Sequence, residues 1–315
     1  VNILILSCGT RFKLVSYFKK NKYVDKVVCT DINNEAPALL AADITYIVPR
    51  MTDPSYLDEI QKICKEEKID AVLPLHEEEL LIISKNKHIF IKNGILPIIS
   101  DYESIILCKD KYLLSKALLD NSISSVETHL AVDYHSELEK TDIFVKPRNG
   151  AGSVDTFHVH NRKMLEAILD SYDEEFIVQK AVNGKEYGVD VYVDMISGEV
   201  VSIFCKEKIR MRAGETEKSI SIKNNDLVEL VKKAVTTIGL IGPIDVDVLE
   251  QNGVFYILEI NPRFGGGYPH AYECGVDFTS MIVHNCKNET NTYSESDYKE
   301  NVLAMKYSDI ILRSV

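Results

Sequence analysis

The stretch that decides the fold runs from Asp245 to Arg263: Asp245-Val246-Asp247-Val248-Leu249, a turn at Gln251-Asn252-Gly253, then Ile257-Leu258-Glu259-Ile260-Asn261-Pro262-Arg263. Side chains alternate across a strand, so Asp245 and Asp247 share one face, and Glu259 and Asn261 share one face of the next strand. The Asn-Gly turn predicts that the two strands pair as a hairpin. Their polar faces then coincide, gathering carboxylates and an amide oxygen among apolar neighbours. Carboxylates set in apolar strands need a partner to offset desolvation. Hard oxygen donors in this pattern suit Mg²⁺ (or Mn²⁺), which takes one or two carboxylates together with substrate phosphate oxygens. The run Asn261-Pro262-Arg263-Phe264-Gly265-Gly266-Gly267 follows directly.

Upstream, Phe144-Val145-Lys146 reads as the end of a buried strand that opens into Pro147-Arg148-Asn149-Gly150-Ala151-Gly152-Ser153. Backbone N–H groups of such a loop can cradle phosphate, with Lys146 as the point charge. It is not a Walker A sequence, because the lysine precedes the glycines. Phe176–Lys180 is an apolar strand whose continuation through Ala181 and Val182 offers backbone groups to an adenine edge, and Glu186 can accept from ribose hydroxyls. The amphipathic stretch Lys109–Leu119 opens on Lys-Asp-Lys.

Each piece alone is ordinary. Taken in order, Lys111, Lys146 with its glycine loop, Gln179–Val182 with Glu186, and Asp247, Glu259, Asn261 and Arg263 resemble the ATP-grasp superfamily, over essentially the whole chain. Asp247 and Glu259 stand twelve residues apart, as the two metal-binding acids of biotin carboxylase do. The Asn-Pro-Arg-Phe-Gly-Gly-Gly-Tyr-Pro tail is most similar to stand-alone carbamoyl-phosphate-synthase-like ATP-grasp ligases. The resemblance implies that Lys111, Lys146, Gly150, Gly152 and Ser153 contact ATP phosphates. It implies that Gln179, Lys180, Ala181 and Val182 hold adenine and that Glu186 holds the ribose. Asp247, Glu259 and Asn261 would hold Mg²⁺, and Arg263, Lys146 and Arg212 would act on the transferring group. Two positions depart from the pattern: Gln179 stands where the family often has Glu, and Asp247 where it usually has Glu or Gln.

The first hundred residues alternate strand and helix signals, at Ile3–Ser7, Phe12–Lys20, Lys26–Thr30, Ile44–Val48, a helix after Pro54, and Ala71–Leu75. Such alternation implies a parallel sheet covered on both faces. Ligands sit beyond the carboxyl ends of such strands, where Gly9, Asp31 and His76–Glu79 fall. The first loop reads Cys-Gly-Thr-Arg-Phe and not GxGxxG, which argues against a dinucleotide enzyme. Further on, Tyr187–Asp194 and Val200–Lys206 read as antiparallel strands, Arg210–Lys218 as a polar loop, and Leu227–Leu240 as a helix. The expected fold is α/β, with α+β character in the C-terminal part: an ATP-grasp fold preceded by a Rossmann-like parallel-sheet domain. The expected division is 1–105 for that first domain, 106–183 for the N-terminal lobe and 184–315 for the C-terminal lobe.

Among 315 residues, 36 Lys+Arg face 48 Asp+Glu, and the net charge of −12 argues against nucleic acid or an anionic membrane as the main partner. The apolar runs are too short to span a bilayer, and the N-terminal one lacks the basic start of a signal peptide. Seven cysteines without a CxxC pair fit reduced thiols in a cytoplasmic protein. His158 and His160 alternate on one strand face with no third metal ligand apparent in the sequence, so they read as ordinary surface residues. His270 reads as a substrate-pocket candidate, and Lys206, Lys208, Arg210 and Arg212 as a clamp for carboxylate or phosphate.

The function that follows is an ATP- and Mg²⁺-dependent ligase. A small carboxylate attacks the γ-phosphate, and an amine displaces phosphate from the acyl phosphate; closure of segments 148–153 and 207–218 would exclude water. A homodimer is compatible with this reading. The competing class is a non-catalytic ATP-binding or regulatory subunit, against which the retained acids, asparagine and lysines argue.

Overall fold

The computed structural model describes residues 1–134, 142–150, 154–172, 175–182, 184–212, 214–293 and 298–313. Three sheets organise them. The first unit comprises β1 (Asn2–Leu6), α1 (Phe12–Lys20), β2 (Lys26–Asp31), β3 (Ile44–Ile47), α2 (Tyr56–Glu66), β4 (Ala71–Pro74), α3 (Glu77–Lys85), α4 (Lys87–Lys92) and β5 (Leu96–Pro97). Its strands form a parallel sheet in the order β3-β2-β1-β4-β5. Continuous apolar runs such as Ile3–Leu6 are fully buried because helices cover both faces. Val15 and Phe18 of α1 pack on one side, and Ile60 and Ile63 of α2 with Leu80 and Ile83 of α3 on the other.

The second unit follows α5 (Tyr102–Lys109) and α6 (Lys111–Asp120) and contains β6 (Thr128–Leu130), β7 (Ile143–Pro147), β8 (Phe157–Val159), α7 (Arg162–Ser171) and β9 (Phe176–Lys180). Its antiparallel sheet runs β6-β9-β7-β8. Leu165 and Ile168 of α7 close one face over Ile143, Val145 and Val178.

The third unit comprises β10 (Lys185–Val193), β11 (Val200–Arg212), β12 (Glu215–Ile222), α8 (Asn225–Ile238), β13 (Gly242–Gln251), β14 (Val254–Asn261), α9 (Tyr268–Glu273), α10 (Phe278–Cys286) and β15 (Leu303–Met305). The sheet order is β14-β13-β10-β11-β12-β15. Alternation divides its central strands: Val189, Val191, Ile203, Cys205, Val246 and Val248 face a core closed by Leu227, Val231, Ala234 and Val235 of α8. The Asn224 side chain caps α8 by accepting from the Leu227 N–H, and Gly239, at φ +73, ends it in the left-handed conformation that glycine adopts without strain. The opposite face carries the charged residues.

The segment read as a polar loop is instead the end of a long hairpin. Arg210 pairs with Lys218 and Arg212 with Glu215 across β11 and β12. Its charges conceal a strand, because the guanidinium groups are offset laterally by Glu217, 2.8 Å from Arg210 and 3.6 Å from Arg212. All seven cysteines are unpaired, six of them buried. Among the described residues no helix is long and apolar enough to cross a membrane.

In the first turn of α3, Glu79 is wholly buried; its Oε1 accepts from Ser7 Oγ at 2.7 Å and from the Tyr56 hydroxyl, while Oε2 has no hydrogen-bond partner among the described residues. Burial pushes this carboxyl up to about 7, against the pull of those hydrogen bonds. A raised folded-state value means that the native chain holds the proton longer than the unfolded chain does. Stability is therefore greatest below about pH 4.5 as far as this group is concerned and falls as pH rises through about 7, by up to about 3 kcal/mol. Glu79→Gln should remove that decline, so urea midpoints of wild type and variant should diverge between about pH 4.5 and 7 and stay apart above it, with the variant the more stable. Equal pH profiles would refute the assignment.

Candidate active site

Four strands of the third sheet build the cleft floor. The register Gly188↔Asp247 and Asp190↔Asp245 places β10 beside β13, Asp247↔Glu259 and Asp245↔Asn261 places β13 beside β14, and Glu186↔Lys208 and Gly188↔Lys206 places β11 on the other side. All these positions lie on the polar face. Lys208 bridges Glu186 at 2.7 Å and Asp247 at 2.6 Å, and Lys206 is buried against Asp190. Gly188 is what lets both lysines cross β10, since a Cβ there would lie 3.0 Å from Lys206 Cε and 3.2 Å from Lys208 Cε. Burial, opposed by Lys208 and reinforced by Asp245 and Glu259, pushes the Asp247 carboxyl up to about 7. Burial alone would lower the Lys208 ammonium, yet Asp247, Glu186 and Asp245 raise it above its ordinary value.

The second unit forms the roof. Lys146 leaves β7 facing the floor, and burial brings it down to about 8, with Glu259 opposing and Lys111 adding to the fall. Lys111, at the first position of α6, donates its ammonium to the Gly150 carbonyl. Asp110 caps α6 and also accepts from Arg148 Nε at 2.9 Å, while the Lys111 N–H donates to the Arg148 carbonyl at 3.3 Å. Helix and loop are thus fastened together. Gln179 is buried and donates to Thr128 Oγ1 at 2.9 Å.

At the mouth, Arg263 lies 3.5 Å from Asp245 and 3.9 Å from Glu77. Arg11, which precedes α1 in the first unit, faces the same space. Its guanidinium is lowered by burial and by Arg263, with Glu215 and Asp245 acting the other way. Gly266 makes room for it, because a Cβ there would sit 2.8 Å from Arg11 Nη1. Roof, floor and mouth enclose a cavity of about 680 Å³, within the range of small-molecule sites.

Lys111, Lys146, Gly150, Gln179, Lys180, Val182, Glu186, Arg212, Asp247, Glu259, Asn261 and Arg263 all line this cavity. Ala181 does not, and its N–H is spent on the Asp142 carbonyl at 3.0 Å. Gly152 and Ser153 lie outside the described residues. Two expectations need correction. His270 is buried away from the cleft, with Nδ1 at 2.8 Å from Ser219 Oγ and Nε2 at 3.1 Å from the Val302 carbonyl, and its burial, with Lys206, brings it down to about 4. His158 and His160 do have a third neighbour, Asp142, supplied by the adjacent strand end. The residues that the sequence reading left out of the site are Arg11 and Glu215, while Asp245 and Glu77, the latter within His76–Glu79, were placed near it without a role; the Gly9 loop after β1 was the available pointer to Arg11.

Known proteins agree with this architecture. Residues 3–99 match the family described as PylC-like, N-terminal domain, and residues 108–267 match the ATP-grasp domain. D-alanine–D-alanine ligase B of Clostridium perfringens is 27% identical over 213 residues, 60% of this chain and 65% of that protein. The carbamoyl phosphate synthase large chain of Clostridium beijerinckii is 22% identical over 86% of this chain but 27% of its own length. The chain thus spans less than two thirds of each of these curated relatives. The L-amino acid ligase structure from Bacillus licheniformis superposes with a TM-score of 0.74 at 19% identity, covering 95% of this chain and 77% of that one, a likeness of fold. With the ATP-grasp match covering half of its residues, the chain belongs to the ATP-grasp family.

Proposed function

We propose that the protein is an ATP-dependent ligase that joins a small carboxylate to an amine through an acyl phosphate. The observation that carries this reading is a single cavity with Lys111 and Lys146 on its roof, Asp247, Glu259 and Asn261 on its floor, and Arg11 and Arg263 at its mouth. In this reading the two lysines hold the nucleotide's phosphates. Lys146, near 8, is mainly an ammonium at neutral pH, and a phosphate beside it would raise it further. Lys180, Val182 and Glu186 line the part of the cavity that would take adenosine.

The donor set fits Mg²⁺. Burial pushes Asp247 up to about 7, with Asp245 and Glu259 adding to a rise that Lys208 opposes, and a divalent cation would favour the ionised form. Asp247, Glu259 and Asn261 would hold it, and when bound it offsets charge on the transferring phosphoryl group. Two arginines at the mouth suit a substrate carboxylate, which guanidinium groups grip in bidentate fashion. That carboxylate attacks the γ-phosphorus, the bond to ADP breaks, and Arg263 and Lys146 offset the charge on the transferring oxygens. The amine then adds to the acyl carbon and phosphate leaves. The β11–β12 hairpin, with Met211 and Arg212 on the cavity, would keep water from the acyl phosphate.

The mouth presents both signs of charge, Arg11 and Arg263 beside Glu77, Glu215 and Asp245, which suits a zwitterion. Two of the similar proteins are named as ligases of amino acids, which supports an amino acid as one substrate.

Glu259→Gln should abolish substrate-dependent ADP release across a panel of paired carboxylates and amines while leaving the far-UV circular dichroism unchanged; undiminished turnover would sink the metal assignment. Arg11→Ala should raise KM for the carboxylate by about tenfold to a hundredfold, the worth of a charged hydrogen bond, and leave KM for ATP where it was. Equal effects on both constants would remove Arg11 from the acid site.

A further inference from the structure

We infer that Asp142, His158 and His160 form a second cation site, suited to a borderline divalent ion such as Zn²⁺, at the rim of the nucleotide cleft. The register Ile143↔Val159 and Phe144↔His158 puts Asp142 opposite His160 at the open end of the β7–β8 hairpin. Alternation then brings all three side chains to one face. His160 Nδ1 lies 2.7 Å from Asp142 Oδ1, His158 Nε2 lies 3.7 Å from Asp142 Oδ2, and one ligand atom from each residue falls within 4.8 Å of the others. A tetrahedral zinc with bonds near 2.0–2.1 Å spaces its ligand atoms by about 3.3 Å, inside that range.

The supports are already in place. His158 stacks on Phe144 with ring centroids 4.9 Å apart, and the two imidazoles stand 4.3 Å apart at 61°. The Asp142 carbonyl accepts the Ala181 N–H from the end of β9, so three chain segments fix the triad. All three side chains are exposed, which leaves the remaining coordination positions to water and avoids a desolvation cost. Two nitrogens and one oxygen select Zn²⁺ and similar ions over Mg²⁺, which prefers an all-oxygen shell, so the site is chemically distinct from the acidic floor.

Its position gives it a role. Asp142, just before β7, alternates with Phe144 and Lys146 within it, and the last two line the cleft. A bound ion would pin the open end of the hairpin whose other end carries the glycine loop. The test is calorimetric titration of EDTA-treated full-length chain with zinc chloride in excess Mg²⁺, which keeps the acidic floor satisfied. One zinc per chain should bind with a Kd of about 10 μM or tighter, and His158→Ala, His160→Ala and Asp142→Asn should each weaken it by at least about tenfold. His160→Cys, which keeps a zinc donor, should retain binding. Zinc affinity unchanged in the His158→Ala/His160→Ala double variant, or no binding below about 1 mM, would reduce the triad to a pair of surface ion contacts. Circular dichroism of each variant separates loss of a ligand from loss of fold.

Discussion

The architecture depends on the desolvation of charge across one sheet face. Asp190, Glu186 and Asp247 lie on the polar face of β10 and β13, Asp190 buried and the other two half-buried, and β11 answers them with Lys206 and Lys208. Buried charges tolerate such a place only when paired, and removing one partner of such a pair typically costs several kcal/mol. The alternation that places these five residues on the polar face also delivers Val189, Val191, Cys205 and Val246 to the core beneath. One pattern therefore builds both the hydrophobic layer and the charged platform. A shift in register by one residue would exchange them and lose both.

The cleft is a shared construction. The floor comes from the third sheet, the roof from the second, and the first unit contributes Arg11 and Glu77 at the mouth. The parallel sheet of the first hundred residues thus presents its strand ends to the pocket, where α/β sheets ordinarily bind ligands. Here those ends supply part of the wall of a pocket that the two later sheets define.

How much of this could be read from residues alone follows the range of the forces involved. Asp247, Glu259, Asn261 and Lys146 were legible because period-two alternation and a two-residue turn are local signals, and the parallel sheet was legible from its uninterrupted apolar strands. Arg11 was not, because its place depends on how the first unit docks against the loop between β14 and α9 that carries Gly266. Asp142 escaped for a related reason: cross-strand register joins it to His160, and no spacing in the chain announces that. The β11–β12 hairpin was misread because its charges resemble a solvated loop until Glu217 is seen to offset them from the neighbouring strand. His270 follows a run of three glycines, which suggested a pocket, yet the short helix α9 turns it inward to Ser219.

The link between α6 and the β7 loop has a mechanical consequence. Lys111 is tied to Arg148 through its N–H and to Gly150 through its side chain, and Arg148 returns to the Asp110 cap. The Lys111 ammonium is therefore anchored to the backbone of the loop that leaves β7, the strand that carries Lys146. Whatever displaces that loop takes the Lys111 contact with it, so the charge that α6 brings to the cavity is coupled to the strand that brings the other.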